Sequence, residues 1–167
     1  MNGALFRAAV AGLLALAAGC ASFDGRGLAP GRSSGAEVEA LMGLPAQRLE
    51  RPDGTKLLYF TRQPAGRAMY VATLGPDGLL RSLEQRLVRE QFEKIVAGAW
   101  TRDQVRELLG PPWMTGYFPR QKREWWEYKF AEFSEKRVLW VQFSDDGVVR
   151  EVMNMRDPEE VRPGGTQ

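Results

Sequence analysis

No histidine occurs in the 167 residues. The commonest general base near neutral pH is therefore missing, and so is a frequent metal ligand. Cysteine is almost as scarce: Cys20 stands alone, so no disulfide can close within the chain. Serine and threonine have no histidine to activate them, no glycine-rich phosphate loop follows a strand pattern, and no acidic cluster has metal-ligand spacing. Glu132, Glu135, Asp145 and Asp146 flank turns, where carboxylates serve as solvated turn residues. No catalytic residue, metal, cofactor or small-molecule substrate is expected. Large net charge is absent too. With 23 basic and 21 acidic side chains the formal charge is +2, which gives no general drive toward nucleic acid.

A long hydrophobic run is also lacking. The most apolar stretch, Ala8 to Ala18, is too short to span a bilayer as a helix, which takes roughly 20 residues. With Arg7 before it and small residues after it, the stretch reads as a secretory signal over residues 1–19. Leu16-Ala-Ala-Gly-Cys20 resembles the lipobox of bacterial lipoproteins, with Ala17 at a position where the pattern usually has Leu. That resemblance implies acylation of Cys20 and cleavage before it. Acylation would also remove the liability of a lone thiol in an oxidising compartment. Ala21 after the cysteine resembles the pattern for sorting to the outer membrane. Residues 20–32, rich in Gly, Ala, Pro and Arg, read as a lipidated flexible tether.

The rest of the chain is organised around one stretch that occurs twice. Gly98 to Pro112 encodes a short helix with both ends specified. Thr101 caps it and Gln104 completes a capping box. Val105, Leu108 and Leu109 form an apolar stripe, Gly110 ends it, and Pro111 and Pro112 forbid continuation. Sixty-seven positions earlier, Gly31, Ser34, Val38, Leu41, Gly43 and Pro45 match Gly98, Thr101, Val105, Leu108, Gly110 and Pro112, with Ser34 and Glu37 as the capping box. Asp77-Gly-Leu-Leu-Arg81 matches Asp146-Gly-Val-Val-Arg150 at an offset of 69, as Tyr59 matches Tyr128. The drift from 67 to 69 places two extra residues in the loop after the second helix. A tandem repeat follows, over residues 33–83 and 84–156, with a disordered tail at 157–167.

Each repeat reads as short helices followed by a three-stranded antiparallel meander, an α+β fold in two tandem units. In the first, Ser34 to Met42 is helical and Pro45 to Thr55 is a turn-rich loop. The strands are Lys56 to Arg62, Arg67 to Leu74 and Leu79 to Leu83. From Leu83 to Ala97 the spacing of Leu87, Phe92, Ile95 and Val96 predicts a helix. In the second, Trp113 to Lys122 reads as a loop. The strands are Arg123 to Phe130, Arg137 to Phe143 and Val148 to Asn154. Alternation sets Trp126, Tyr128 and Phe143 on the core face and Trp125 and Trp140 on the opposite one.

Ile95-Val-Ala-Gly98, Thr101, Gln104-Val105, Leu109-Gly-Pro-Pro112, Trp126, Tyr128, Phe143, Gly147 and Val148 together resemble the SmpA/OmlA (BamE-like) family of outer-membrane lipoproteins. The resemblance covers about residues 90–153, and the first repeat carries it more weakly. It implies a lipid-anchored, periplasm-facing outer-membrane protein, attached through acylated Cys20, that acts as a scaffold or accessory in envelope protein assembly. Tandem helix–meander units also resemble secreted β-lactamase inhibitor proteins, which implies an alternative: blocking an envelope enzyme with a sheet face. Either way the expected partner is a protein. All five tryptophans lie between residues 100 and 140. Trp125, Trp140, Trp113 and Tyr117 are the expected binding residues, since Trp and Tyr are favoured at interaction hot spots.

Overall fold

The computed structural model describes residues 24–160, so the signal read at 1–19, Cys20 and residues 161–167 lie outside it. The eleven elements run α1 (Gly35–Met42), β1 (Gln47–Glu50), β2 (Lys56–Thr61), β3 (Met69–Leu74), β4 (Leu80–Gln85), α2 (Arg89–Phe92), α3 (Arg102–Leu109), β5 (Met114–Phe118), β6 (Arg123–Glu132), β7 (Glu135–Ser144) and β8 (Val149–Arg156). They build an α+β fold of two antiparallel sheets, ordered β1-β2-β3-β4 and β5-β6-β7-β8. Among the described residues no helix is long and apolar enough to cross a membrane.

Each sheet has four strands rather than the expected three. The additions, β1 and β5, lie in stretches that read as loops. Both are short edge strands, and β1 alternates half-buried and exposed residues without a strong apolar pattern. Their pairing comes from hairpins onto longer strands, as Leu49 opposite Leu57 and Gly116 opposite Trp125.

The helix expected at Leu83 to Ala97 shrinks to the single turn α2. Leu83 remains in β4, paired with Ala72. The Gln85 side chain then binds both backbone groups of Leu87, accepting from its N–H at 2.5 Å and donating to its carbonyl at 3.1 Å. Those bonds satisfy polar groups that a helix ladder would otherwise have to satisfy. Leu87, Phe92 and Ile95 still reach the core, whereas Val96 is 53% exposed.

The two capped helices form where their signals lie. Ser34 accepts from the Glu37 N–H while Glu37 accepts from the Ser34 N–H at 2.7 Å. Thr101 and Gln104 do the same, with the returning bond at 2.8 Å. Gly43 (φ 85°, ψ −168°) and Gly110 (φ 79°, ψ −166°) end them in an extended positive-φ region open essentially to glycine, not in the left-handed helical region.

The repeat extends to individual hydrogen bonds. Gly31 N–H donates to Leu80 O and Gly98 N–H to Val149 O, both at 2.7 Å. Leu80 N–H donates to Ser33 O and Val149 N–H to Trp100 O, both at 2.8 Å. Bulges fall at Thr73/Leu74 and at Gln142/Phe143. Asp77–Arg81 and Asp146–Arg150 are matching ion pairs at 2.6 and 3.0 Å. The strand pairs correct one equivalence. Leu58 faces Ala72 and Trp126 faces Val141, so β2 maps onto β6 at an offset of 68, and Phe60 rather than Tyr59 is the counterpart of Tyr128. The extra residues are therefore split, one in the β5–β6 hairpin and one in the β6–β7 hairpin.

The packing is layered. Leu58, Phe60, Ala72, Leu74 and Leu80 cover one face of the first sheet and pack with Val38 and Met42 of α1. Its other face presents Leu57, Tyr59, Met69 and Val71. These join Val105 and Leu109 of α3 and the inner face of the second sheet in one larger core. Helix α3 thus lies between the sheets. The Tyr59 hydroxyl donates to Glu107 O at 2.6 Å, Arg51 pairs with Glu107 at 2.5 Å, and the Tyr128 hydroxyl donates to Gly110 O at 3.1 Å. Burial pushes the Tyr59 hydroxyl up to about 12 and the Tyr128 hydroxyl higher still. A second tie is ionic. Asp157, only 1% exposed, bonds Arg67 at 2.6 Å and Lys129 at 3.4 Å, so Asp157–Glu160 fastens the β2–β3 hairpin to β6. Burial alone would raise the Asp157 carboxyl; the bonds from Arg67, the Glu159 N–H and Lys129 outweigh it and hold it below the usual range.

Gly110 sits where α3 meets the first sheet, and a Cβ there would fall 2.7 Å from Tyr59 Cδ1; at Gly43 nothing lies within 4 Å. Both positions share the positive-φ penalty of about 1–3 kcal/mol. Gly110→Ala adds an overpacking penalty of roughly 1–3 kcal/mol. Urea unfolding is expected to show Gly110→Ala destabilised beyond Gly43→Ala by that margin; equal losses would mean that the close approach carries no energy.

Candidate functional site

The outer face of the second sheet is built by simple alternation. Cross-strand partners share a face, so Gly116 with Trp125, Glu127 with Trp140 and Trp140 with Met153 place Gly116, Trp125, Glu127, Trp140 and Met153 together. Phe118 and Met114 join them from β5. On the opposite face Trp126, Tyr128, Phe130, Val141 and Phe143 are at most 3% exposed. There Trp126 meets Phe143 edge-on at 4.8 Å.

Trp125 and Trp140 stack with centroids 5.1 Å apart and planes 10° from parallel. Phe118 adds a third ring, 6.1 Å from Trp125 and 6.3 Å from Trp140. Such contacts contribute about 0.5–1.5 kcal/mol per pair beyond area burial. Gly116 makes room for the stack, since a Cβ at this position would lie 2.3 Å from Trp125 Cζ2. The Trp140 Nε1–H donates to Glu127 Oε2 at 2.7 Å. Arg123 borders the rings, donating to Gln142 Oε1 and Glu151 Oε2, both at 3.2 Å. The rings remain half-buried. The face is a stacked aromatic plate edged by hydrogen-bonded polar groups.

Two of the four expected binding residues meet here. Trp125 and Trp140 form the plate; Trp113 and Tyr117 do not join it. Tyr117 alternates with Gly116 and Phe118 and so points to the opposite face, where its hydroxyl donates to Asp145 Oδ1 at 3.1 Å. That bond follows burial as the second cause of a raised Tyr117 pKa. Trp113, 42% exposed, precedes β5 and makes no ring stack with the plate among the described residues. Glu127 shares the face that alternation gives Trp125; Met114 is a member that the sequence reading missed, and Phe118, in a stretch read as a loop, had no assigned face. Their signal was the alternation of Met114, Gly116 and Phe118, hidden because two intervening glycine and proline positions read as a loop. The turn carboxylates are held by cations or hydroxyls: Glu132 by Arg89 at 2.8 Å, Glu135 by Arg156 at 2.9 Å, and Asp146 by Arg150.

Residues 86–153 match the family model of the outer membrane protein assembly factor BamE domain. The second unit is thus similar to a BamE domain over that stretch. The match begins in the connector before α2, takes in all of α3, β5, β6 and β7, and ends within β8. No curated protein and no solved structure matches the chain. The matched stretch therefore contains the whole aromatic plate, and α3 within it carries the contact with the first sheet. The first unit, outside the match, repeats the architecture of the second.

Trp125→Ala combined with Trp140→Ala is expected to leave the fold intact, because both rings stand on the open face. It should abolish the coupled indole signal in circular dichroism that the stacked pair generates. Loss of the strand signal instead would place these rings in the core.

Proposed function

We propose that this protein is a non-enzymatic outer-membrane lipoprotein that faces the periplasm and acts as a scaffold or accessory in outer-membrane protein assembly. The observation that carries this reading is the BamE-domain match over residues 86–153, which coincides with α3 and the second sheet. The lipobox-like Leu16 to Cys20 supports a lipid anchor at Cys20, and the tether that begins there ends by Leu28, which packs on the first core, and Gly31, which bonds Leu80 O. A lasting anchor takes more than one acyl chain, because each buried methylene contributes about 0.8 kcal/mol and one chain holds only weakly. The Trp125–Trp140 plate is the contact surface in this reading.

A second reading, an inhibitor-like protein that covers an envelope enzyme, draws on the same plate. Tandem units would present a rigid sheet face without offering chemistry of their own. The two readings separate by partner: assembly components in the first, an enzyme that loses activity when bound in the second.

Cys20→Ser is expected to lose fatty-acid labelling and to move the protein from the outer-membrane fraction to the soluble periplasmic one. The wild-type chain is expected to co-purify from membranes with barrel-assembly components. Unchanged fractionation of the variant would remove the anchor from the account, and consistent absence of those components would remove the assembly role.

A further inference from the structure

The repeat pairs each surface of the first unit with one of the second. In the internal interface, α3 packs on the outer face of the first sheet, where Leu57 and Val71 are 2% and 1% exposed. The strand offsets make Trp125 and Trp140 their counterparts on the second sheet. These rings are half-exposed, and among the described residues no helix lies over them as α3 lies over Leu57. The donor surface is also present twice. The side of α3 that meets the first sheet has Glu107, Leu108 and Gly110, and its counterpart on α1 has Ala40, Leu41 and Gly43. Gly110 is buried against Tyr59 and Met69, whereas Gly43 is exposed with nothing within 4 Å, and Leu44 beside it is 85% exposed. Among the described residues there is thus one interface made internally, and both halves of a second one left open.

We propose that the outer face of the second sheet receives the outward side of α1 from a second copy of this chain. This rests on reading the Trp125–Trp140 plate as a contact surface. What singles out a second copy is a matched change on the two open halves. The internal interface has an ion pair, Arg51–Glu107, at 2.5 Å. The counterpart of Arg51, one residue after Glu50 in β1, is Phe118 in β5; the counterpart of Glu107 is Ala40. Charge has left both sides together, and a ring now faces a methyl group. Leu57, which lines the groove beside Trp100, Gln104 and Leu108, becomes Trp125, and Leu108 becomes Leu41. Two contacts have no counterpart. Arg106 donates to Gln47 Oε1 at 2.8 Å, but at those places stand Glu39, held by Arg48 at 2.6 Å, and Met114. The Tyr59 hydroxyl reaches Glu107 O, but Glu127 stands at that place and is held by Trp140 instead. Asp157–Glu160 fastens over the other end of the face, at Lys129 and Lys136, and leaves the rings clear. The association is head to tail: each copy offers α1 and accepts on its second sheet, so it closes as a ring or extends as a run.

The test uses the full chain in its native membrane, with a photoreactive benzophenone side chain at Leu44 and a mixture of isotopically light and heavy copies. The expected product is a light–heavy crosslink from position 44 to the segment 113–127 of the other copy. Phe118→Arg alone and Ala40→Glu alone should each lower its yield about five-fold; combined, they recreate the internal ion pair and should restore it to within about two-fold. Circular dichroism of each variant checks the fold, and both sites are on open surfaces. A light–heavy crosslink without restoration by the double variant overturns the assigned register. No light–heavy crosslink overturns the proposal, and a benzophenone at Phe118 then tells how much else falls. Capture there of a different protein leaves the contact-surface reading standing; capture of nothing removes that reading as well.

Discussion

Helix α3 is held on both sides, and the rest of the molecule depends on that. Its buried residues, Val105 and Leu109, share one core with Leu57, Tyr59 and Val71 of the first sheet and with Trp126, Tyr128 and Val141 of the second. A helix of eight residues has little stability of its own in water, so packing has to hold it. Large apolar side chains supply about 1.5–3 kcal/mol each when buried. Two tyrosine hydroxyls complete the arrangement, Tyr59 reaching Glu107 O and Tyr128 reaching Gly110 O, so carbonyls at the helix end are satisfied inside the protein. A unit of about 60 residues is marginal alone, and sharing one core between two units answers that constraint.

Much of this was legible in the sequence, for identifiable reasons. Capping boxes are local, so Ser34/Glu37 and Thr101/Gln104 announced their helices, and strand alternation assigned Trp126 and Tyr128 inward and Trp125 and Trp140 outward. Tertiary effects were harder to read. β1 and β5 are edge strands whose pairing comes from their neighbours, so Met114 to Phe118 looked like a loop and the face of Tyr117 could not be read. The 83–97 stretch has helical spacing, but Gln85 takes the backbone of Leu87 and β4 keeps Leu83. Matching Tyr59 to Tyr128 was a coincidence of residue type. Hairpin lengths shift the true equivalence by one, and a shift of one exchanges the faces of a strand.

The same geometry explains why the open face looks as it does. The first sheet is covered on both sides and can carry ordinary apolar residues such as Leu57 and Val71. The second sheet carries large rings at those places, stacked on one another and seated over Gly116, which limits their exposure without removing it. Stacked tryptophans bury much of their area against each other and still present a flat apolar surface. The stretch that matches the BamE-domain model contains both the shared helix and the plate.

Because every tryptophan lies between residues 100 and 140, intrinsic fluorescence follows the second unit, while amide exchange in β2 and β3 follows the first. Native-state exchange and fluorescence measured along one urea series therefore test the shared core. The account predicts that the slowest amides of Leu57 to Phe60 and of Val71 to Thr73 open with the same free energy and the same urea dependence as the fluorescence transition. If the first unit opened at lower urea while the tryptophans kept their native signal, α3 would not be joining the two sheets into one cooperative structure.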